Sequence, residues 1–214
     1  MSSELPQARL AAKVIAVSGP PGSGKTTLVA ALAQRLGDAA VLSMDHYQRM
    51  TELPIEDIER WAARGADPDE LPMPYLADHL RLLKQGQSVV DPATGTTIAP
   101  CRYILFETHF GRSHCGTGGQ IDWLVWLDTP PDLALARNLR GFLKPLQTSM
   151  AADSMREGLR WIEGYLANYE AVVSGLVRLQ LARVRPQADQ VIGPGVAVQE
   201  AAQEVCRLAA LALG

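Results

Sequence analysis

Cysteine is scarce in this chain, and the few that occur do not form a recognisable framework. Only three of the 214 residues are cysteine, at positions 101, 115 and 206, and no two of them have C-x-x-C spacing. Disulfide frameworks use even sets of cysteines in oxidising compartments. The count therefore predicts reduced thiols and a cytoplasmic location.

The chain also lacks a strong excess of one charge. Its formal net charge is −3 and it has no long basic run, which argues against nucleic acid or an anionic membrane as a partner. Residues 1–12 contain no long apolar core, so we expect neither a signal peptide nor a membrane-spanning segment there. With 47% hydrophobic and 20% charged residues, the composition is typical of a globular protein, and we predict a single domain over 1–214.

A glycine-rich motif is the most informative feature that is present. It follows a β-branched run at 14–17 and precedes a run of strong helix formers that ends at Gly37. In such phosphate loops the backbone N–H groups surround a phosphate, the lysine reaches the β- and γ-phosphates, and the next hydroxyl ligates Mg²⁺. The sequence therefore predicts a nucleoside triphosphate and Mg²⁺. The predicted nucleotide-binding residues are Gly19, Pro20, Pro21, Gly22, Ser23, Gly24, Lys25, Thr26 and Thr27.

Four further apolar runs predict strands, at 39–44, 103–107, 122–128 and 190–192. Together with the first run they predict an α/β fold, a five-stranded parallel sheet flanked by helices. The proline-containing segment 51–100 interrupts this alternation. It predicts helices near 55–64 and 75–85, then a small hairpin at 88–98, and we interpret it as a substrate-covering insertion.

Two carboxylates follow predicted strands, at the sheet edge where open α/β sheets bind ligands. Asp45 could accept the proton of a substrate hydroxyl, or it could cap the turn that follows. Glu107 has the position of the second carboxylate of an NTPase, which holds a magnesium-bound water, although a surface glutamate is the alternative. Thr26 and Glu107 are therefore the candidate metal ligands.

A helix is predicted after the fourth strand, with Thr129 as its N-cap. Arg137 and Arg140 lie three residues apart on this helix, where they could neutralise charge on a γ-phosphate or form a solvated basic face. Residues 151–184 have a helical pattern throughout. Within it, the recurring residues around Trp161 and Tyr165 predict a core or packing face rather than a cofactor site.

Four segments in this order resemble the uridine kinase and phosphoribulokinase-like family of P-loop small-molecule kinases. Residues 19–27 are similar to the family's phosphate loop, and 42–47 to the segment that carries its catalytic aspartate. Residues 79–89 are similar to the helix and turn before its substrate hairpin, and 185–192 to the stretch that enters the last strand beside the adenine pocket. The resemblance covers about residues 13–205.

The resemblance implies a P-loop NTPase three-layer sandwich that uses ATP and Mg²⁺. It implies Asp45 as catalytic base, Lys25 at the phosphates, and Arg137 and Arg140 as cations of a lid at about 137–160. It also implies that Asp189 is a nucleotide-binding residue, in the stretch beside the adenine pocket.

The chain departs from the family at positions that bear on the acceptor. The hairpin tip at 91–96 lacks the tyrosine, histidine and arginine with which uridine kinases recognise pyrimidine and ribose, and Glu107 is followed by Thr108-His109 where the family has a glycine. The lid region 139–145 also differs from the family pattern. Phosphoryl transfer is therefore better supported than any particular acceptor.

We predict an ATP-dependent kinase that phosphorylates a hydroxyl of a small metabolite. The first candidate acceptor is a uridine- or cytidine-like nucleoside, and a sugar phosphate, glycerate or a pantothenate-like compound stays open. Arg49, Arg102 and Arg112 are equivalent candidates for a cation that binds the acceptor. An ATP-hydrolysing switch or chaperone and a nucleotide-binding scaffold are the other classes considered. Homo-oligomerisation also stays open.

Overall fold

The computed structural model describes residues 11–147 and 152–213. Most of the expected lead-in at 1–12 and part of the expected lid at 137–160 therefore lie outside the described residues. The strands are β1 (Lys13–Ser18), β2 (Ala39–Ser43), β3 (Val89–Val90), β4 (Thr97–Ile98), β5 (Tyr103–Glu107), β6 (Trp123–Leu127) and β7 (Gln190–Ile192). The helices are α1 (Lys25–Leu36), α2 (Ile55–Ala63), α3 (Leu76–Lys84), α4 (Cys115–Gly118), α5 (Pro131–Gln147), α6 (Ala152–Asn168), α7 (Ser174–Leu179) and α8 (Val198–Leu213).

Five strands form a parallel sheet in the order β2-β5-β1-β6-β7, and β3 pairs with β4 in a separate antiparallel hairpin. This confirms the predicted α/β P-loop fold. The five strands begin and end within about a residue of their predicted bounds. β2 is one residue shorter than predicted, because 44–46 form a 3₁₀ turn.

Alternation along the central strand divides the core into two layers, since successive side chains of a strand point to opposite faces. Val14 and Ala16 of β1 pack on the face covered by α2, α3 and α7. Ile15 and Val17 pack on the opposite face, which α1 and α8 cover. β5 and β6 alternate in the same way, which gives the three-layer sandwich.

The strand order determines which loops meet at the carboxyl edge of the sheet. β5 lies between β1 and β2, and its last residue, Glu107, is in register with Val17 and Ser43. The end of β5 therefore lies between the glycine-rich loop, which follows β1, and the turn containing Asp45, which follows β2.

The helical segment from α6 to residue 184 is confirmed, and two π-turns interrupt it, at Tyr169–Val173 and Gln180–Val184. Of the two alternatives predicted for Trp161, core or packing, the structure shows packing outside the buried core. Its side chain is 47% exposed and stacks on Tyr165 beside Phe142 of α5. Helical periodicity identified the face but could not show that another helix, rather than the sheet, lies against it. No helix within 11–147 or 152–213 has the length and apolar character needed to cross a membrane.

Candidate active site

The glycine-rich loop is fixed against the first turn of α5. Gly22 has φ +83°, and a Cβ atom there would lie 2.2 Å from the carbonyl oxygen of Ala134. Thr129 was predicted to cap this helix, but its hydroxyl instead donates to the carbonyl of Ser23 at 3.4 Å. The local sequence could not predict this, because the acceptor lies 106 residues away. The loop and α5 therefore form one packed unit.

Substitutions at two glycines of this loop distinguish the effect of a steric clash from the effect of backbone strain. Gly22→Ala is expected to weaken ATP binding about tenfold or more and to lower the unfolding midpoint, because a methyl group has no space beside Ala134. Gly24 also has positive φ, at +100°, but a Cβ atom there would meet no neighbouring atom within 4 Å, so Gly24→Ala should cost only backbone strain. Thermal denaturation and nucleotide titration measure both effects. Equal losses in the two variants would contradict the steric explanation.

Lys25, the first residue of α1, is buried in the loop. Its Nζ donates to the carbonyl oxygens of Gly19 at 3.0 Å and Pro20 at 3.2 Å. Burial lowers the pKa of this ammonium group, whereas the carboxylates of Glu107 and Asp45 act in the opposite direction. The lysine is thus placed to exchange carbonyl contacts for phosphate oxygens.

Thr26 and Glu107 are in direct contact. The threonine hydroxyl donates to Oε1 of Glu107 at 2.9 Å, and Glu107 is buried at the end of β5. A hydroxyl and a carboxylate are hard oxygen ligands of the kind that Mg²⁺ prefers. The pair fits a magnesium site of few protein ligands, in which water and phosphate complete the coordination.

Asp45 lies in the turn after β2 and is linked to the segment after β5. Its Oδ1 accepts a hydrogen bond from Nε2 of His109 at 3.0 Å. This bond is the largest cause that lowers the pKa of Asp45; burial opposes it, and the charges of Lys25 and His46 add to it. Asp45 is therefore favoured in its ionised form, beside the phosphate loop.

The residues after Asp45 hold the hairpin and α3 against this edge. Nδ1 of His46 lies 2.6 Å from Oδ2 of Asp91 in the β3–β4 turn. The hydroxyl of Tyr47 lies 3.0 Å from Nδ1 of His79 on α3. Burial, with a smaller contribution from Asp91, raises the pKa of Tyr47 to about 12, so the phenol stays neutral. The insertion is thus tied to the turn that carries Asp45.

Two cavities flank the glycine-rich loop. The first, of about 410 Å³, is lined by the loop, Glu107 and the α5 residues Arg137, Asn138 and Phe142. The second, of about 370 Å³, lies between the loop and residues 192–198 after β7. Oγ of Ser23 is buried and has no hydrogen-bond partner in the described part of the chain. Buried polar groups are normally hydrogen-bonded, so a bound ligand would supply the partner that this hydroxyl lacks. The residues present therefore fit a nucleoside triphosphate.

The two predicted lid cations differ in position. Both are exposed residues of α5, but Arg137 lines both cavities and Arg140 lines neither. The lining residues Asn138, Phe142 and 193–196 were not predicted. For residues 193–196, the sequence did contain a signal, because Gly193-Pro194-Gly195 breaks the chain into a loop directly after the last strand.

The hydrogen-bond partners of Asp189 lie outside the two cavities. Its Oδ2 accepts hydrogen bonds from Arg112 at 2.5 Å and from the backbone of Leu124 at 2.7 Å, and it is not among the lining residues of either cavity. Arg49 pairs with Glu52, and Arg102 lies over the ring of Tyr103. Each of the three candidate acceptor cations thus has a partner within the protein, and the partner of Arg112 lies in the segment just before β7.

Comparisons with known proteins agree with this geometry. A family model described as an AAA domain matches residues 14–140. A uridine kinase of Chloroflexus aurantiacus is 38% identical over 195 residues, which cover 85% of this chain and 86% of that protein.

Two solved structures share the fold. The shikimate kinase of Acinetobacter baumannii in complex with shikimate has a TM-score of 0.51 and 20% identity, over 96% of this chain and 97% of that one. A structure described as a "Possible Uridine Kinase" from Bacillus stearothermophilus has a TM-score of 0.51 and 17% identity, over 85% and 88% of the two chains. The family match and the relative's identity together establish that this chain belongs to the P-loop small-molecule kinases of the uridine kinase family.

Proposed function

We propose that this phosphotransferase uses MgATP to phosphorylate a hydroxyl of a small metabolite, with Asp45 as the general base. The observation that carries the proposal is the order β2-β5-β1, which brings Asp45, Glu107 and Lys25 to one edge of the sheet. The electrostatic coupling of both carboxylates to Lys25 supports their proximity. A base, a metal ligand and a phosphate-binding cation at one edge are the groups that phosphoryl transfer requires.

The nucleotide is proposed to bind with its phosphates in the loop 19–27 and its base towards residues 192–198. ATP supplies the γ-phosphoryl group, and Mg²⁺ supplies positive charge beside it. Within this arrangement Lys25 binds the β- and γ-phosphate oxygens, and Thr26 with Glu107 holds the metal. Asp189, which was predicted to bind the nucleotide, is proposed instead to position β6 next to the base, through the hydrogen bond that it accepts from the backbone of Leu124.

The acceptor is proposed to enter between Asp45 and the insertion at 51–100, which acts as a substrate cover within a single domain. Asp45 orients the attacking hydroxyl and takes its proton. Segment 137–160 acts as a lid, in which Arg137, and Arg140 after closure, neutralise charge on the transferred group. The position of Arg137 in both cavities supports its role more directly than the position of Arg140, which lines neither.

A uridine- or cytidine-like nucleoside is the first acceptor that we propose, on the strength of the Chloroflexus relative. A sugar phosphate, glycerate or a pantothenate-like compound follows, because the hairpin tip lacks the family's pyrimidine-recognising residues. The odd count of three cysteines, without C-x-x-C spacing, is the basis on which we propose the reducing cytoplasm as the location.

The experiment is a screen of hydroxylated metabolites for ADP release with MgATP, starting with uridine and cytidine. Acceptor-dependent ADP release, with a phosphorylated product identified by mass spectrometry, is the expected result. ADP release that no metabolite stimulates would overturn the proposal and favour an ATP-hydrolysing switch.

Loss of the Thr26 hydroxyl is expected to raise the Mg²⁺ concentration for half-maximal rate about tenfold, the lower range for a lost metal-site contact. Thr27→Ala is the matched control, because Thr27 lines both cavities but the hydrogen bond to Glu107 comes from Thr26. It should alter the KM for ATP more than the Mg²⁺ requirement. Titration of Mg²⁺ at saturating ATP measures the difference, and identical Mg²⁺ curves for wild type and Thr26→Ala would refute the assignment.

A further inference from the structure

His109 is held in place by its backbone at the sheet edge. The backbone of the preceding residue, Thr108, accepts a hydrogen bond from Ser18 Oγ at 2.9 Å and donates to Val17 at 3.1 Å. The carbonyl oxygen of His109 accepts from Nε2 of Gln180 at 3.0 Å, and Gln180 is fully buried in the second π-turn. These contacts, from β1 and from the helical segment between α6 and residue 184, fix the backbone position from which the His109 side chain extends.

The ring itself has one polar contact. Its Nε2 lies 3.0 Å from Oδ1 of Asp45, and a carboxylate only accepts hydrogen bonds, so the ring proton is on Nε2. Nδ1 is buried, and no group in the described ranges hydrogen-bonds to it. Because that nitrogen is shielded from solvent, the imidazole cannot deliver a proton to or from an acceptor through it.

Asp45 depends on this contact for its orientation. It lies in a short 3₁₀ turn, and its side chain is 53% exposed. Across residues 11–147 and 152–213, His109 provides the side-chain hydrogen bond to its carboxylate, and Oδ2 has none. An exposed carboxylate without such a bond would sample several rotamers, and misplacement by about 1 Å can cost about 10²-fold in rate.

We propose that His109 is a positioning residue for phosphoryl transfer, whose Nε2–H fixes Oδ1 of Asp45 and leaves Oδ2 to receive the proton of the acceptor hydroxyl. The inference rests on the proposed function. In the balanced step, the acceptor oxygen forms the new O–P bond, the bond from phosphorus to the ADP oxygen breaks, and the hydroxyl proton passes to Oδ2. His109 makes and breaks no bond in this step.

Physical reasoning favours orientation over basicity. A hydrogen bond from His109 makes the Asp45 carboxylate a weaker base, which by itself would slow proton transfer. Phosphoryl transfer passes through a loose transition state in which catalysis depends mostly on positioning and charge neutralisation. A fixed base of reduced strength is therefore more useful here than a mobile, stronger one.

The test compares His109→Ala with His109→Gln, using MgATP and the acceptor that gives the most ADP release in the screen, beginning with uridine. Glutamine carries an N–H donor at about the position of Nε2, whereas alanine carries none. We expect kcat to fall about 10- to 10²-fold in His109→Ala, and to recover to within a fewfold of wild type in His109→Gln. The KM for ATP should stay within twofold in both. His114→Asn, whose histidine bonds Thr117 instead, serves as the control of unchanged activity.

The outcomes separate the inference from the function on which it rests. His109→Ala within twofold of wild-type kcat, equal losses in both variants, or a change in acceptor KM alone would each overturn the positioning role. A wild-type chain that transfers phosphate to no acceptor would instead overturn the proposed function, and the inference with it. Because ATP binding reports on the folded loop, its measurement shows whether a slow variant is folded.

Discussion

Replacing Lys25 by alanine is expected to lower kcat about 10²- to 10³-fold, the range for loss of one charge-stabilising contact in an active site. The ammonium group is buried in the phosphate loop, where the charges of Glu107 and Asp45 oppose the effect of burial on its pKa. Without it, both carboxylates would face the triphosphate with less compensating charge, so we also expect weaker ATP binding. Single-turnover rates and nucleotide titrations measure the two effects separately.

Arg35→Ala is the matched control for the loss of a cation from the same helix. Arg35 lies exposed in the last turn of α1, at the opposite end from Lys25. We expect its removal to leave kcat within twofold. A Lys25→Ala chain that retains wild-type turnover would show that the loop does not bind the reacting phosphates.

Asp45→Asn is expected to abolish transfer while preserving ATP binding. The amide is nearly the same size as the carboxylate but cannot accept the hydroxyl proton, and general bases contribute about 10²- to 10⁴-fold. Removing a negative charge near Lys25 should leave ATP affinity equal or slightly higher. The measurement is acceptor-dependent ADP release together with nucleotide titration.

Asp38→Asn gives the same chemical change at the other end of β2. Asp38 is exposed and precedes the strand, whereas Asp45 follows it at the carboxyl edge. The control should retain wild-type rates, since only one edge of the sheet carries the site. Turnover preserved in Asp45→Asn would remove that residue from the mechanism.

Sequence reasoning predicts the sheet and the phosphate loop because both depend on local patterns. Each of the five strands is a short apolar run, and burial of β1 on both faces explains why the run at 14–17 has no polar residue. The glycines and Lys25 have fixed spacing within one loop. Asp45 and Glu107 could be placed at the same edge because each lies at the carboxyl end of a parallel strand.

The remaining site features depend on contacts between residues far apart in the chain. The Asp45–His109 bond joins positions 64 residues apart, and the Thr129 hydroxyl reaches Ser23 across 106 residues. Local pattern cannot show which of several polar groups near a sheet edge will meet. For the same reason, periodicity left open whether Trp161 packs in the core or on another helix, and its ring stacks in an exposed aromatic group between α5 and α6.

The two π-turns change the spacing of buried residues along the helical segment from α6 to residue 184. Four of its buried residues, Val172, Leu176, Gln180 and Val184, recur every four positions, and Val177 is buried beside them. A uniform α-helix has roughly 3.6 residues per turn, so a four-residue stripe would drift around its axis by about 40° at each step. The wider π-turns offset this drift. A helix of even pitch would rotate Gln180 away from the His109 carbonyl, so this irregular winding couples the outer helical layer to the edge where the chemistry is proposed to occur.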